Sequence, residues 1–459
     1  MRSRAVAHAS AAAPVDPALA DELAAIAAAA GPRTQVGITV RALDTGATLF
    51  DRRGDAALNP ASNHKLLTAI AALELLGADY RFTTRVLRDG DTLVVAGEGD
   101  PALQTEDLRA LARTIAATPN LPTIRRIVVD DTAFSDERFG PGYDASGPGY
   151  SYMAPSGALS LQWNTIAITA TATHTGAPLE VAIDPPCAHV EVVVDAITGR
   201  GAPLAIETST HGERTRVVVR GTLSRREGTA RIRRRIADPG LFAGSVLARA
   251  LALHGLPEPE VVRGATPSRA TLLAEHVSPP LRDVLHSALK YSNNFTTEQI
   301  LRTLGHRLTG EPGDWHNGSE ALMQFWSALG RDPDELVFEN AAGYSRRGRA
   351  SARALVDLLQ FALDDDSEAR SILAALAVSG RDGTLRDRLH DAAGRVLAKT
   401  GSLAGTSALT GVILDEAGTP RVGFSILLNG AVDRKSGARL QDRLVRALIG
   451  HTTHPRVPA

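Results

Sequence analysis

Pro60-Ala61-Ser62-Asn63-His64-Lys65 opens the stretch that decides the reading, continuing as Leu66-Leu67-Thr68-Ala69-Ile70-Ala71-Ala72-Leu73-Glu74-Leu75-Leu76-Gly77. Ala and Leu dominate, the large apolar residues recur at helical spacing, and Gly77 stands where a helix C-cap is expected. The pattern predicts a helix with Ser62 at its N-terminus and Lys65 three residues on, on the same face of the first turn. At that spacing an amine can take a hydroxyl proton, and the helix dipole favours negative charge developing nearby. Four residues alone fit an N-cap serine beside a solvated lysine equally well, so the chemistry must be sought elsewhere in the chain.

Two further segments supply it. Ser292-Asn293-Asn294 has the form S-x-N, and Lys399-Thr400-Gly401, followed by Ser402, has the form K-T-G. S-x-x-K, S-x-N and K-T-G in this order form the known signature of β-lactamases and penicillin-binding proteins. Each is weak alone; the ordered triplet is specific.

The intervals carry information of their own. Ser62 and Ser292 lie 230 positions apart (292 − 62), whereas Ser292 and Lys399 are 107 apart (399 − 292), so the first interval has room for an inserted domain. Within it, residues 165–236 change character to short β-rich runs such as Val190-Glu191-Val192-Val193-Val194 and Arg214 to Arg220, which predicts a small all-β module. Its arginines Arg225, Arg226, Arg231, Arg233, Arg234 and Arg235 are read as a solvated hairpin face rather than a polyanion grip.

The chain resembles the D-alanyl-D-alanine carboxypeptidase/endopeptidase family of low-molecular-mass (class C) penicillin-binding proteins, from about Val36 onward. Besides the triplet, the likeness rests on Gly97-x-Gly99-Asp100-Pro101, Tyr152-x-Ala154-Pro155-Ser156 and Ser379-Gly380-Arg381-Asp382-Gly383-Thr384-Leu385. One departure is Asn340-Ala341-Ala342-Gly343-Tyr344-Ser345-Arg346, where the family has Asp-Gly-Ser-Gly-Leu-Ser-Arg, so the local loop is expected to differ.

The resemblance implies a multidomain α+β fold. Its β-lactamase/transpeptidase-like serine domain is an antiparallel sheet flanked by helices, interrupted by a large inserted β-rich region. The expected parts are a disordered tail over 1–15, a catalytic domain from 16–81 and 271–459, an inserted domain from 82–164 and 237–270, and a nested β-rich domain over 165–236. The resemblance also implies roles. Ser62 is the nucleophile and Lys65, if neutral, its general base; Ser292 relays the proton, Asn294 holds Lys65 and the substrate amide, and Lys399 supplies charge nearby. Backbone N–H groups of Ser62 and Ser402 form the oxyanion hole, and Thr400, Gly401 and Ser402 bind substrate. No cofactor and no metal are expected. The implied partners are peptidoglycan peptides, with β-lactam antibiotics as covalent inhibitors, at a periplasmic or extracytoplasmic location. A β-lactamase, or a non-catalytic wall-binding scaffold of the same fold, are the alternatives. The long insertion disfavours the first and the intact Ser62, Lys65, Ser292 and Lys399 the second.

Composition bounds the rest. A chain of 459 residues is expected to hold roughly two to four domains. Hydrophobic content of 44%, charged content of 22% and a net charge of −1 are those of a soluble globular protein and argue against a general nucleic-acid binder. No run reaches the roughly eighteen apolar residues of a membrane span. Cys187, the only cysteine, excludes an internal disulfide and is expected to be a small buried side chain. The thirteen histidines include no H-E-x-x-H pattern, and His64, two positions from Ser62, is expected to point away from it. Met1 to Ala11 has a basic start and an Ala-x-Ala but no apolar core, so it reads either as a tail or as a chain lacking an export signal.

Overall fold

Asp16 accepts a hydrogen bond from the Ala18 N–H and Pro17 takes the first helical position, so the first helix, Pro17–Ala28, starts where cap and proline dictate. The computed structural model describes residues 16–144 and 146–453; the tail expected over 1–15 lies outside them. The described chain forms two compact units, one of residues 16–80, 281–297 and 318–453, the other of the described residues within 81–280 and 298–317.

The first unit is built on an antiparallel six-stranded sheet in the order Ala377–Val378, Val396–Leu403, Thr406–Leu414, Pro420–Gly430, Thr34–Ala42, Thr48–Arg52. The last two form a hairpin around Asp44-Thr45-Gly46, a sequence that reads as a turn, with Gly46 at φ 71°. Side chains alternate with period two. Val422, Phe424, Ile426 and Leu428 meet Leu19, Leu23, Leu444 and Leu448 of the first helix and of the closing helix Arg434–Thr453. On the opposite face a Cβ at Gly423 would stand 3.6 Å from Val356 of the helix Ala352–Ala362.

The second unit holds a mixed five-stranded sheet, Glu260–Arg263, Arg126–Asp130, Thr92–Gly97, Thr83–Asp89, Thr271–Val277, with helices Thr105–Ala116 and Pro239–Ala252. Residues 165–235 supply two three-stranded sheets, and none of these strands joins the six-stranded sheet. A single buried cluster runs from Val86 and Ile127 through Leu159 and Ile166 to Val217 and Phe242, so the β-rich stretch shares its core with the rest of the unit. Cys187 packs partly buried against that core, and burial pushes its thiol up.

The observed boundaries differ from the expected ones for two reasons. Thr271–Val277 pairs with Thr83–Asp89 and closes the second unit's sheet, so the first unit resumes at 281 rather than 271. Residues 298–317 belong to the second unit because Arg302, wholly buried, is bonded to the loop around Ser135. The arginine cluster also departs from a solvated face. Arg225, Arg226 and Arg231 are exposed, but Arg233 lies over the Trp163 ring and Arg235 is buried, donating to the Asp144 carbonyl at 2.8 Å.

Candidate active site

Ser62 sits in a single 3-10 turn, Ala61–Asn63, that feeds the helix His64–Leu76. The helix thus begins two residues later than its sequence pattern suggests. Gly77 ends it at φ 90°, and residues 64–73 are all buried, so the helix is a rigid core element carrying the serine at its mouth. Ala61, immediately before the serine, has φ 47°, a left-handed conformation that costs a non-glycine residue on the order of 1 kcal/mol or more.

Lys65 is wholly buried. Its Nζ donates to the Ser62 hydroxyl at 3.1 Å, to Asn294 Oδ1 at 2.8 Å and to the Ala342 carbonyl at 2.7 Å. Asn294 reaches it because the helical run that begins at Leu281 breaks. Leu281–Leu289 and Asn294–Thr309 are separate helices, and Ser292 between them takes φ 59°. An unbroken helix would have turned Ser292 and Asn294 to different sides. The break was legible from the need for both to face one site.

Lys399, on the strand Val396–Leu403, is also wholly buried and donates to the Ser292 hydroxyl at 2.9 Å and to the Thr400 carbonyl at 2.8 Å. Burial, and then the positive charge of Lys65, hold its pKa well below that of an ordinary lysine. The structure therefore joins two serine–lysine pairs, Ser62 with Lys65 and Ser292 with Lys399, in one cluster whose two amines are wholly buried, with Asn294 alongside. Such an arrangement can move protons between hydroxyls and amines without a carboxylate.

The K-T-G strand borders this cluster at its outer edge. Ala377–Val378 pairs with it only at Ala398 and Leu397, so from Lys399 to Leu403 the edge has no ladder partner among the described residues. A Cβ at Gly401 would lie 2.6 Å from the Pro60 carbonyl oxygen, so glycine is what lets the strand pass against the serine turn. Ser402 is exposed, whereas the Thr400 hydroxyl is engaged, donating to Thr384 Oγ1 at 2.8 Å.

Four contributors escape a reading from motifs. The Ala342 carbonyl, a partner of Lys65, comes from the stretch where the sequence departs from the family pattern, and a backbone oxygen leaves no signal in residue identity. Thr384 lies in one of the family-like stretches, where nothing in the sequence marks its hydroxyl for a role. Asn63 occupies a variable motif position. Wholly buried, with its amide oriented so that each end meets a complementary group, it donates to the Lys399 carbonyl at 2.9 Å and accepts from the Thr410 hydroxyl at 2.7 Å. Asp382 pairs with Lys290 at 2.6 Å beside the S-x-N turn. The His64 ring makes no hydrogen bond to Ser62 among the described residues; only its backbone N–H meets the Ala61 and Ser62 carbonyls. It is buried, stacks on Phe338 at 5.7 Å and is held neutral by burial, its pKa lowered to about 4.

Residues 19–449 match the family described as D-Ala-D-Ala carboxypeptidase 3 (S13). This chain belongs to that family. It is 33% identical over 423 residues to the D-alanyl-D-alanine carboxypeptidase of an Actinomadura species, across 86% of this chain and 77% of that one. The fold of this S13 member is that of penicillin binding protein 4 from Haemophilus influenzae, at TM-score 0.79 and 21% identity over 94% of this chain and 99% of that one. The same Haemophilus protein in complex with a β-lactam matches at TM-score 0.75 and 21% identity, with the same coverage. Membership makes the chain an enzyme, a hydrolase of the carboxypeptidase kind, and the α+β penicillin-binding-protein fold expected from the motifs is the fold observed. Among the described residues no group of metal-ligating side chains could hold an ion, and no helix is long and apolar enough to cross a membrane.

Proposed function

We propose that this S13 carboxypeptidase removes the terminal D-Ala from peptidoglycan stem peptides through an acyl-enzyme on Ser62. The observation that carries the reading is the Lys65 amine, buried, 3.1 Å from the Ser62 hydroxyl and 2.8 Å from Asn294. Ser62 Oγ attacks the carbonyl carbon of the penultimate D-Ala while its proton passes to Lys65, which takes it in the neutral form, its remaining N–H groups held by Asn294 and the Ala342 carbonyl. Negative charge developing on the substrate oxygen is met by the backbone N–H groups of Ser62 and Ser402, the second on the open strand edge. The C–N bond then breaks as Ser292, hydrogen-bonded by Lys399, hands its proton to the departing nitrogen. Lys65 passes the proton it took to Ser292, then takes one from the attacking water and returns it to the Ser62 oxygen as the ester C–O bond breaks, releasing the acyl group and restoring Ser62.

The open edge from Lys399 to Leu403 suits an extended peptide, which would add to the sheet as a further strand. A β-lactam, whose ring amide stands in for the D-Ala-D-Ala bond, would acylate Ser62 in the same way. This substrate places the enzyme's work outside the cytoplasmic membrane.

Incubation with a labelled penicillin, followed by intact mass and peptide mapping, tests the reading. One adduct is expected, on Ser62 and absent from Ser62→Ala, together with release of free D-Ala from acyl-D-Ala-D-Ala by the wild type. An adduct elsewhere, or one retained in Ser62→Ala, overturns it.

A further inference from the structure

The turn that presents Ser62 is held from a direction none of the three motifs reaches. Leu58 exchanges backbone hydrogen bonds with Ala350 at 3.1 and 2.9 Å, after which Pro60, lacking an N–H, can extend no ladder. Between them Asn59 finds a different partner, the side chain of Asn429 on the strand Pro420–Gly430. The Asn59 N–H donates to Asn429 Oδ1 at 2.7 Å, and Asn429 Nδ2 donates to the Asn59 carbonyl at 3.0 Å. A side-chain carboxamide thus pairs with a peptide group as a neighbouring strand would. The Asn59 side chain is engaged as well. Its Nδ2 donates to the Ser345 carbonyl at 2.8 Å, and its Oδ1 accepts the N–H of Ala61 at 2.8 Å.

Ala61 is the residue with φ 47°, next to the nucleophile. A left-handed alanine persists only where its surroundings over-determine it. Here the restraints are the Asn59 side chain, the Gly401 strand and Gly343, where a Cβ would lie 2.1 Å from the Ala61 carbonyl oxygen. Asn59 is itself only 6% exposed, so water replaces a lost partner there incompletely.

The geometry points to Asn429 as a positioning residue for the nucleophile. Acting through Asn59, it fixes the strained Ala61 and with it the direction of the Ser62 hydroxyl and backbone N–H. This rests on the reading of Ser62 as the acylated serine. Its signature is a loss of acylation rate rather than of penicillin affinity, because the pair touches the serine turn and not the ligand.

Asn429→Asp is the informative variant. One carboxylate oxygen still accepts from the Asn59 N–H, while the other faces the Asn59 carbonyl with no proton to give. Thr34→Val, which loses a hydrogen bond from a hydroxyl to the Ala431 carbonyl just beyond the strand Pro420–Gly430, is the control for a generic loss in the same part of the sheet. Stopped-flow titration with a fluorescent penicillin separates the dissociation constant from the acylation rate constant; thermal melting and adduct mapping accompany it. In Asn429→Asp the acylation rate constant is expected to fall about 10- to 100-fold, with affinity within about threefold, as misplacement of a reacting group does. The adduct stays on Ser62, and Thr34→Val acylates at the wild-type rate. If Asn429→Asp does not fold, Asn429→Ser decides by the same measure. Wild-type acylation in the folded variant overturns the inference, as does a rate loss in Thr34→Val matching its loss of melting temperature. A wild-type adduct away from Ser62 would instead remove the nucleophile reading on which this one stands.

Discussion

Each of the two units buries a cation, and the surroundings treat the two oppositely. Arg302, in the second unit, directs its five N–H groups at oxygens: Nε to the Gly313 carbonyl at 3.0 Å, Nη1 to the Glu137 carbonyl and Ser156 hydroxyl at 3.0 Å each, and Nη2 to the Ser135 carbonyl at 2.7 Å and hydroxyl at 3.1 Å. Its guanidinium lies between the Phe134 and Trp315 rings, 4.5 Å from each centroid. Burial lowers its pKa only to about 10, so it stays charged. Lys399, in the first unit, has a hydroxyl and a carbonyl for partners and a second lysine close enough to repel it, with no carboxylate bonded to it among the described residues. One site is furnished to keep its charge, the other to give it up readily. A buried cation with every donor satisfied is architecture; a buried amine with its charge uncompensated is chemistry.

The comparison breaks first if the lysines prove dispensable. Lys65→Ala should lower acylation by penicillin at least about 10⁴-fold, more than Ser292→Ala, since one removes the first proton abstraction and the other a relay. Equal rates in wild type and Lys65→Ala, read by stopped-flow, would take Lys65 out of the mechanism.

Exchanging kinds of loss tests the pair directly. Arg302→Met should cost about 3–5 kcal/mol of stability in denaturant unfolding, because carbonyls lose their donors, yet leave kcat/KM of the folded enzyme within about threefold. Lys399→Met should do the reverse, removing activity while changing stability by less than about 1 kcal/mol. The sign also follows with pH. With the folded pKa of Lys399 below 10.5, the unfolded chain binds the proton more tightly, so in wild type this lysine makes stability rise with pH up to that value, a slope Lys399→Met lacks.

A smaller effect concerns the strand beside Lys399. Thr400 and Ser402 have the same parity on the strand, as period-two alternation requires, and under the proposed function their hydroxyls would meet the free carboxylate of the terminal D-Ala. Thr400→Val with Ser402→Ala should cost roughly 2–4 kcal/mol of transition-state stabilisation for acyl-D-Ala-D-Ala and less for its C-terminal amide. Part of the loss would reflect the Thr400–Thr384 bond. Equal losses in kcat/KM on acid and amide would mean the strand does not read the carboxylate.

The smallest separates the units by their acids and bases. Asp100, 2% exposed in the second unit, has its pKa raised from 3.8 to about 7, by burial first. The folded state therefore holds a proton the unfolded one lacks, and stability falls as pH rises from about 4 to about 7. His64 in the first unit has the opposite sign, its lowered pKa making stability rise with pH from about 4 to 6.5. Hydrogen exchange at Val94 and Val95 should show local stability dropping by at most about 2 kcal/mol between about pH 5 and 6.5, and Asp100→Asn should flatten that slope.

Much of the site is legible in the sequence. S-x-x-K places Lys65 beside Ser62 because helical spacing is fixed by backbone geometry, and the same geometry requires the chain to break at Ser292 if Asn294 is to face the same site. Strand alternation and cap residues likewise locate the hairpin at Asp44-Thr45-Gly46 and the starts of the helices after Asp16 and Asp238. Less legible are contacts through the backbone, such as the Ala342 carbonyl on Lys65, and burial of residues that look solvated, such as Arg235.

By itself, then, the sequence determined the order of the three motifs, the local geometry within each and the presence of a large insertion, since these depend on spacing along one chain. What only the tertiary structure decided is how residues hundreds of positions apart share one volume. Lys65 with Asn294, Ser292 with Lys399 and Asn59 with Asn429 are pairs of this kind. So are the depressed pKa of Lys399 and the assignment of residues 298–317 to the second unit. The physical reason is that desolvation, charge proximity and side-chain pairing depend on distance through space, which spacing along the chain constrains only within a turn or a strand.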